Sequence, residues 1–118
     1  MGLLMNRIKE LVELCNGAER FRISMMLNNA ADYVRSVVAM EVVAARVADL
    51  DPEDFREERE STDRTRSNDH NAFISSVDAV NKICDSHGVP RIYTGSTERR
   101  AYGDFAMELV ADIFAKRH

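Results

Sequence analysis

Apolar residues recur at three- and four-residue spacing along most of this chain, and four helices follow from that rhythm. Leu4, Ile8, Leu11 and Cys15 mark a short amphipathic helix. Asn16-Gly17 is expected to stop it, with the glycine taking the left-handed conformation of a helix C-terminus. A second stripe runs through Ile23, Met26, Ala30, Tyr33, Val34, Val37, Ala44 and Ala48, and no Gly or Pro interrupts it from Ala18 until Pro52. Phe73, Ile74, Val77, Val80 and Cys84 make a third stripe, and Tyr102, Phe105, Ala106, Leu109, Val110 and Ile113 a fourth.

The boundaries agree with these stripes. In Asp51-Pro52-Glu53-Asp54 the first Asp can cap, Pro fits the first helical position, and two acids suit the positive end of the dipole. Gly88 and Pro90 end the third helix near Ser86. Arg91 to Gly95 is too short for a sheet and reads as an extended connector, after which Ser96 or Thr97 can cap the last helix. The predicted fold is all-α and a single domain over 1–118. A long antiparallel helical hairpin (about 18–49 and 52–86, about 50 Å at 1.5 Å per residue) is flanked by a short N-terminal helix and a C-terminal helix, four-helix-bundle-like. The flanking helices are short enough to cover only the open end of the hairpin. The closed end, roughly Val37 to His70, is then left bare. There the apolar surface of the second helix widens through Val38, Val42, Val43 and Val47, and an exposed apolar strip of that kind predicts association, here a homodimer.

Between the break and the third stripe lies the most unusual stretch, Arg56 to Asn71, sixteen residues without an apolar side chain. Helical phase at 100° per residue divides it. Glu57, Glu58, Ser61 and Asn68 point outward. Arg59, Thr62, Asp63, Arg66 and His70 continue the core line back towards Phe55, and Glu41 on the second helix faces Arg59 across the hairpin. Polar groups on an inward face must be paired. Asp63 with Arg66 and Arg66 with His70 are within helical reach, and Asn71 borders the group. The expectation is a polar cluster of Glu41, Arg59, Asp63, Arg66, His70 and Asn71. It fixes hairpin register or dimer specificity, or it holds a ligand.

Composition narrows the function. A hydrophobic share of 45% and a charged share of 31% are those of an ordinary globular chain. A net charge of −4 disfavours direct nucleic-acid binding, which goes with a basic excess. No apolar run is long enough to span a membrane, the N-terminus lacks a signal-peptide cleavage pattern, and a cytoplasmic setting is expected. Two cysteines, Cys15 and Cys84, are too few and too far apart in sequence for a disulfide framework or a zinc site, so buried thiols are expected. A di-iron bundle needs Glu-x-x-His pairs, but Ser67 stands three before His70. His87 and His118 fall in a loop and at the terminus, away from any three-histidine site. Glu57-x-x-Glu60 and Glu60-x-x-Asp63 resemble the Mg²⁺-holding acids of helical nucleotide pyrophosphatases, yet they share one helix. Glu108 and Asp112 on the last helix have the wrong spacing. No catalytic residue, metal site or cofactor is expected.

Two stretches carry a family resemblance. Asp63-x-x-Arg66-x-x-x-His70-Asn71-x-x-Ile74, with the SSVDAVNKIC that follows, resembles a family of small uncharacterised bacterial proteins often seen on mobile elements. The closing ERRAYGDFAMELVADIFAKR is similar to that family's last helix. The resemblance spans roughly residues 60–117, with Lys82 where the family's pattern has Arg. It implies an all-helical domain and a bacterial or phage setting, and no established activity. The resulting expectation is a non-enzymatic, self-associating helical protein that binds another protein, such as an inhibitor of a host defence or nucleic-acid enzyme. The alternative is a small-ligand or nucleotide/metal-binding helical enzyme, pyrophosphatase-like, using the Asp63/Arg66/His70 cluster.

Overall fold

The computed structural model describes residues 3–45 and 52–115, with side chains for 3–38, 56, 60 and 64–113. Four helices are present: α1 (Leu3–Leu14), α2 (Gly17–Ala45), α3 (Pro52–Ser86) and α4 (Arg99–Ala115). Helices α2 and α3 form the antiparallel hairpin, and the longest dimension of 54 Å matches its expected length. The core lies towards the open end. Leu4, Ile8, Leu11, Ile23, Met26, Ala30, Tyr33, Phe73, Val77, Val80, Phe105, Ala106 and Leu109 are buried there, as their periodicity requires. Both cysteines are buried free thiols.

Side-chain and backbone caps fix the helix ends. The α1–α2 corner differs from the expected glycine stop. Gly88 is the only described glycine with a positive φ, at 66°, so Gly17 is not left-handed. Instead Asn16 and Glu19 form a reciprocal capping box at the start of α2. Glu19 N donates to Asn16 Oδ1 at 2.9 Å, and Asn16 N donates to Glu19 Oε1 at 3.0 Å. At the far end of α3, Val89 N donates to Cys84 O and Gly88 N to Asp85 O, a Schellman closure that only a left-handed Gly88 makes without strain. Asp112 of α4 accepts from Met5 N at 2.7 Å, which satisfies one of the open donors at the start of α1.

Helix α4 does not follow the expected course. Its length suggested that it would cover the end of α3, but it packs chiefly on α2, and its first turn lies beside His70 and Tyr33. The cause is the connector. Buried Asn81 donates from Nδ2 to Tyr93 O at 3.0 Å, and its Oδ1 accepts from Ile92 N at 3.1 Å and Tyr93 N at 3.4 Å. The amide thus acts as a piece of backbone, and it turns residues 91–94 back along α3. Tyr93 then stacks on Tyr102 and Phe105, with ring centroids 4.8 and 4.7 Å apart. A Cβ at Gly95 would stand 2.7 Å from the Tyr93 hydroxyl, so the fold of this ring over the connector requires glycine. Cover from the chain itself reaches His70, where Tyr33 and Tyr102 meet the buried imidazole, as the helix lengths led one to expect. Before His70, the described side chains of Arg56, Glu60, Arg64 and Thr65 are exposed, and those of Arg66 and Asp69 half-buried.

Candidate functional site

Of the six residues expected in the polar cluster, Arg66, His70 and Asn71 have described side chains, and those of Glu41, Arg59 and Asp63 lie outside the described residues. His70 is buried and Arg66 half-buried, as helical phase predicts, whereas Asn71 is exposed. The imidazole sits between two phenol rings. Tyr33 of α2 meets it edge-on at 5.3 Å and Tyr102 of α4 at 6.3 Å. Its Nδ1 lies 3.4 Å from Asn71 Oδ1. Its Nε2, and the Nε of Arg66, are buried with no hydrogen-bond partner among the described residues.

Charges of both signs act at this point, Arg66 and Arg99 against Asp104. Burial pushes His70 below the ordinary histidine range; the contact with Asn71 opposes it, and the weaker effects of the Arg99 and Arg66 charges add to the lowering. The same two arginines act on Tyr33, whose hydroxyl burial pushes up. The junction of α2, α3 and the start of α4 thus sets a buried imidazole and two phenol rings near the Arg66 and Arg99 side chains. Asp69, absent from the sequence-based cluster, lies one residue before His70. Asp69 accepts a hydrogen bond from the buried Ser36 hydroxyl across the hairpin. Further along the hairpin, the exposed Asn29 donates to Ala72 O at 3.3 Å. These two ties join α2 and α3 next to the expected polar cluster. An inward Ser opposite an acid was the available signal.

A second constellation lies at the open end. Cys15, Glu19 and His87 place one thiol sulfur, one carboxylate oxygen and one ring nitrogen within 4.8 Å of one another. His87 Nε2 is 3.1 Å from Glu19 Oε2. The Asn16 backbone N–H, more than His87, holds the Glu19 carboxyl below the usual carboxylate range. Burial, with the Glu19 charge, pushes the Cys15 thiol up. Sequence separation hid this group, since Cys15 and His87 are 72 positions apart and only the tertiary fold joins them.

Among the four residues expected to form an interface, Val38 is 51% exposed, and the side chains of Val42 and Val43 and the whole of Val47 lie outside the described residues. Glu60, from the pyrophosphatase-like pattern, is exposed. Gly103 does let α4 approach α2, since a Cβ there would stand 3.4 Å from the Tyr33 hydroxyl. No helix among the described residues is long and apolar enough to cross a membrane.

Fold and site together define a small all-helical protein built on a projecting hairpin, with a buried polar junction at the root of the projection. The chain belongs to the family described as protein of unknown function (DUF3232), which it matches over residues 3–118. The match takes in α1 and α2 as well as the stretch from residue 60 onward that carries the resemblance. No curated protein and no solved structure matches the chain.

Proposed function

We propose that this protein is a non-enzymatic, self-associating helical protein whose hairpin arm is its interaction surface, and that the arm's first occupant is a second copy of the chain. The observation that carries the proposal is the half-exposed Val38 on α2, where cover by α4 ends and both hairpin helices continue. A helix gains most of its stability from packing an apolar face. Two helices alone bury little, whereas two arms side by side make a four-helix bundle. In sequence the next valines along this helix are Val42, Val43 and Val47, so the strip has the length to seam such a bundle. The assembled protein would carry twice the charge of −4. Such an acidic bundle suits a basic protein partner better than nucleic acid, in keeping with an inhibitor of a nucleic-acid enzyme on a bacterial mobile element. Gel filtration tests the first step. Elution as a dimer, shifted to monomer by Val38→Glu with helical content retained, is expected; a monomer at every concentration contradicts the reading.

The unpartnered Nε2 of His70 and Nε of Arg66 favour one second reading, a small acidic ligand held at the root of the arm. Replacing His70 and Asp63 together by Ala separates the two. Loss of the oligomer or a large fall in Tm assigns the cluster to the scaffold. An unchanged fold assigns it to a ligand, to be sought by thermal shift with nucleotides and divalent metals.

A further inference from the structure

The geometry points to a transition-metal site of the zinc or cobalt class at Cys15, Glu19 and His87, joining the ends of α1, α2 and α3. The donor set is a thiolate, a carboxylate and an imidazole, the ligands that a borderline-soft divalent ion takes in tetrahedral sites. Bond lengths of about 2.0–2.3 Å to such an ion place neighbouring donor atoms roughly 3.2–3.7 Å apart. Glu19 and His87 already stand at 3.1 Å, and all three donors lie within 4.8 Å. Closing the set needs the donors to approach by at most about 1.1–1.6 Å.

Pre-organisation strengthens the inference. Each ligand sits on a fixed helix end rather than on a free loop. Cys15 follows α1, with its N–H held by Val12 O at 3.1 Å. Glu19 is locked by the capping box through Oε1, which leaves Oε2 for the ion. His87 directly follows α3, its N–H held by Ile83 O and Cys84 O, next to the Gly88 closure. Glu19 also borders a surface hollow of about 550 Å³ with Arg22, Asp78 and Lys82, which gives water access for a fourth ligand. Binding is a plain exchange. The ion displaces the Cys15 thiol proton, which leaves to solvent, and the Nε2 proton of the Glu19–His87 hydrogen bond, which the ring exchanges for one on Nδ1 through water; one net proton is released, and affinity falls as pH falls.

Cobalt(II) titrated into the purified full chain tests this directly. Expected are one cobalt per chain, a near-ultraviolet thiolate-to-cobalt charge-transfer band, and the visible bands of tetrahedral cobalt. Cys15→Ser should abolish the charge-transfer band, His87→Gln should weaken it severalfold, and Cys84→Ser should leave it unchanged. Saturating zinc should raise the Tm of the parent chain by at least about 5 °C and that of Cys15→Ser hardly at all. Cobalt spectra without the charge-transfer band, or a band that survives Cys15→Ser, would overturn the assignment and leave the trio as a capping box with an ion pair. His87→Gln keeps both thiols and the capping box, so it provides the test should Cys15→Ser fail to fold.

Discussion

His70 carries the main residue-scale consequence. In the unfolded chain its imidazole titrates near the ordinary histidine value of about 6.5; in the fold, burial and the Arg99 and Arg66 charges depress that value. Between the two values the unfolded chain binds the extra proton and the native chain does not, so stability rises with pH there. The contribution is complete above the unfolded value and is lost as pH falls towards the depressed one. Thermal melts should therefore show Tm falling from pH 7 to pH 5, and His70→Leu should flatten that slope. Because Nε2 has no described partner, the leucine should cost little stability at pH 7. A slope unchanged by the substitution would remove His70 as its source. Helical phase made this residue legible, since His70 and Arg66 extend the line of Phe73 and Val77. The phenol rings around it were not legible, because Tyr33 and Tyr102 meet His70 only through tertiary packing.

At the scale of elements, periodicity gave the stripes of all four helices, because burial of one face is a local signal. The path between α3 and α4 was not local. It depends on Asn81, whose amide reaches residues eleven and twelve positions ahead, and a lone Asn beside Val77, Val80 and Cys84 does not announce such a role. Asn81→Ala removes three hydrogen bonds and strands the backbone groups of Ile92 and Tyr93. A loss of about 1–3 kcal/mol in urea unfolding is expected, with faster amide exchange in α4. Unchanged exchange in α4 would show that ring stacking alone holds the connector. The corner before α2 teaches the same lesson on a smaller scale. Asn16-Gly17 looked like a glycine stop, but the Asn and the Glu three residues on form the cap. Asn16→Ala should cost about 1 kcal/mol, read as a lower urea midpoint. Gly17→Ala should be tolerated, since nothing lies within 4 Å of a Cβ there.

For the whole molecule, length and phase together predicted the long hairpin, and the cover from α4 reaches the level of Tyr33 and His70, close to the expected boundary at Val37 and His70. Below that level lie α1, α4 and a closed core; above it, α3 continues without a core residue among those described. The account stands or falls on whether that arm is a surface for a second copy. Sedimentation equilibrium of the parent chain and of the double variant Val42→Asp, Val43→Asp, with helical content followed by circular dichroism, measures this most directly. The account predicts a dimer mass for the parent and a folded monomer for the variant. A parent chain that stays monomeric at all concentrations, or a dimer that survives both substitutions, would contradict it.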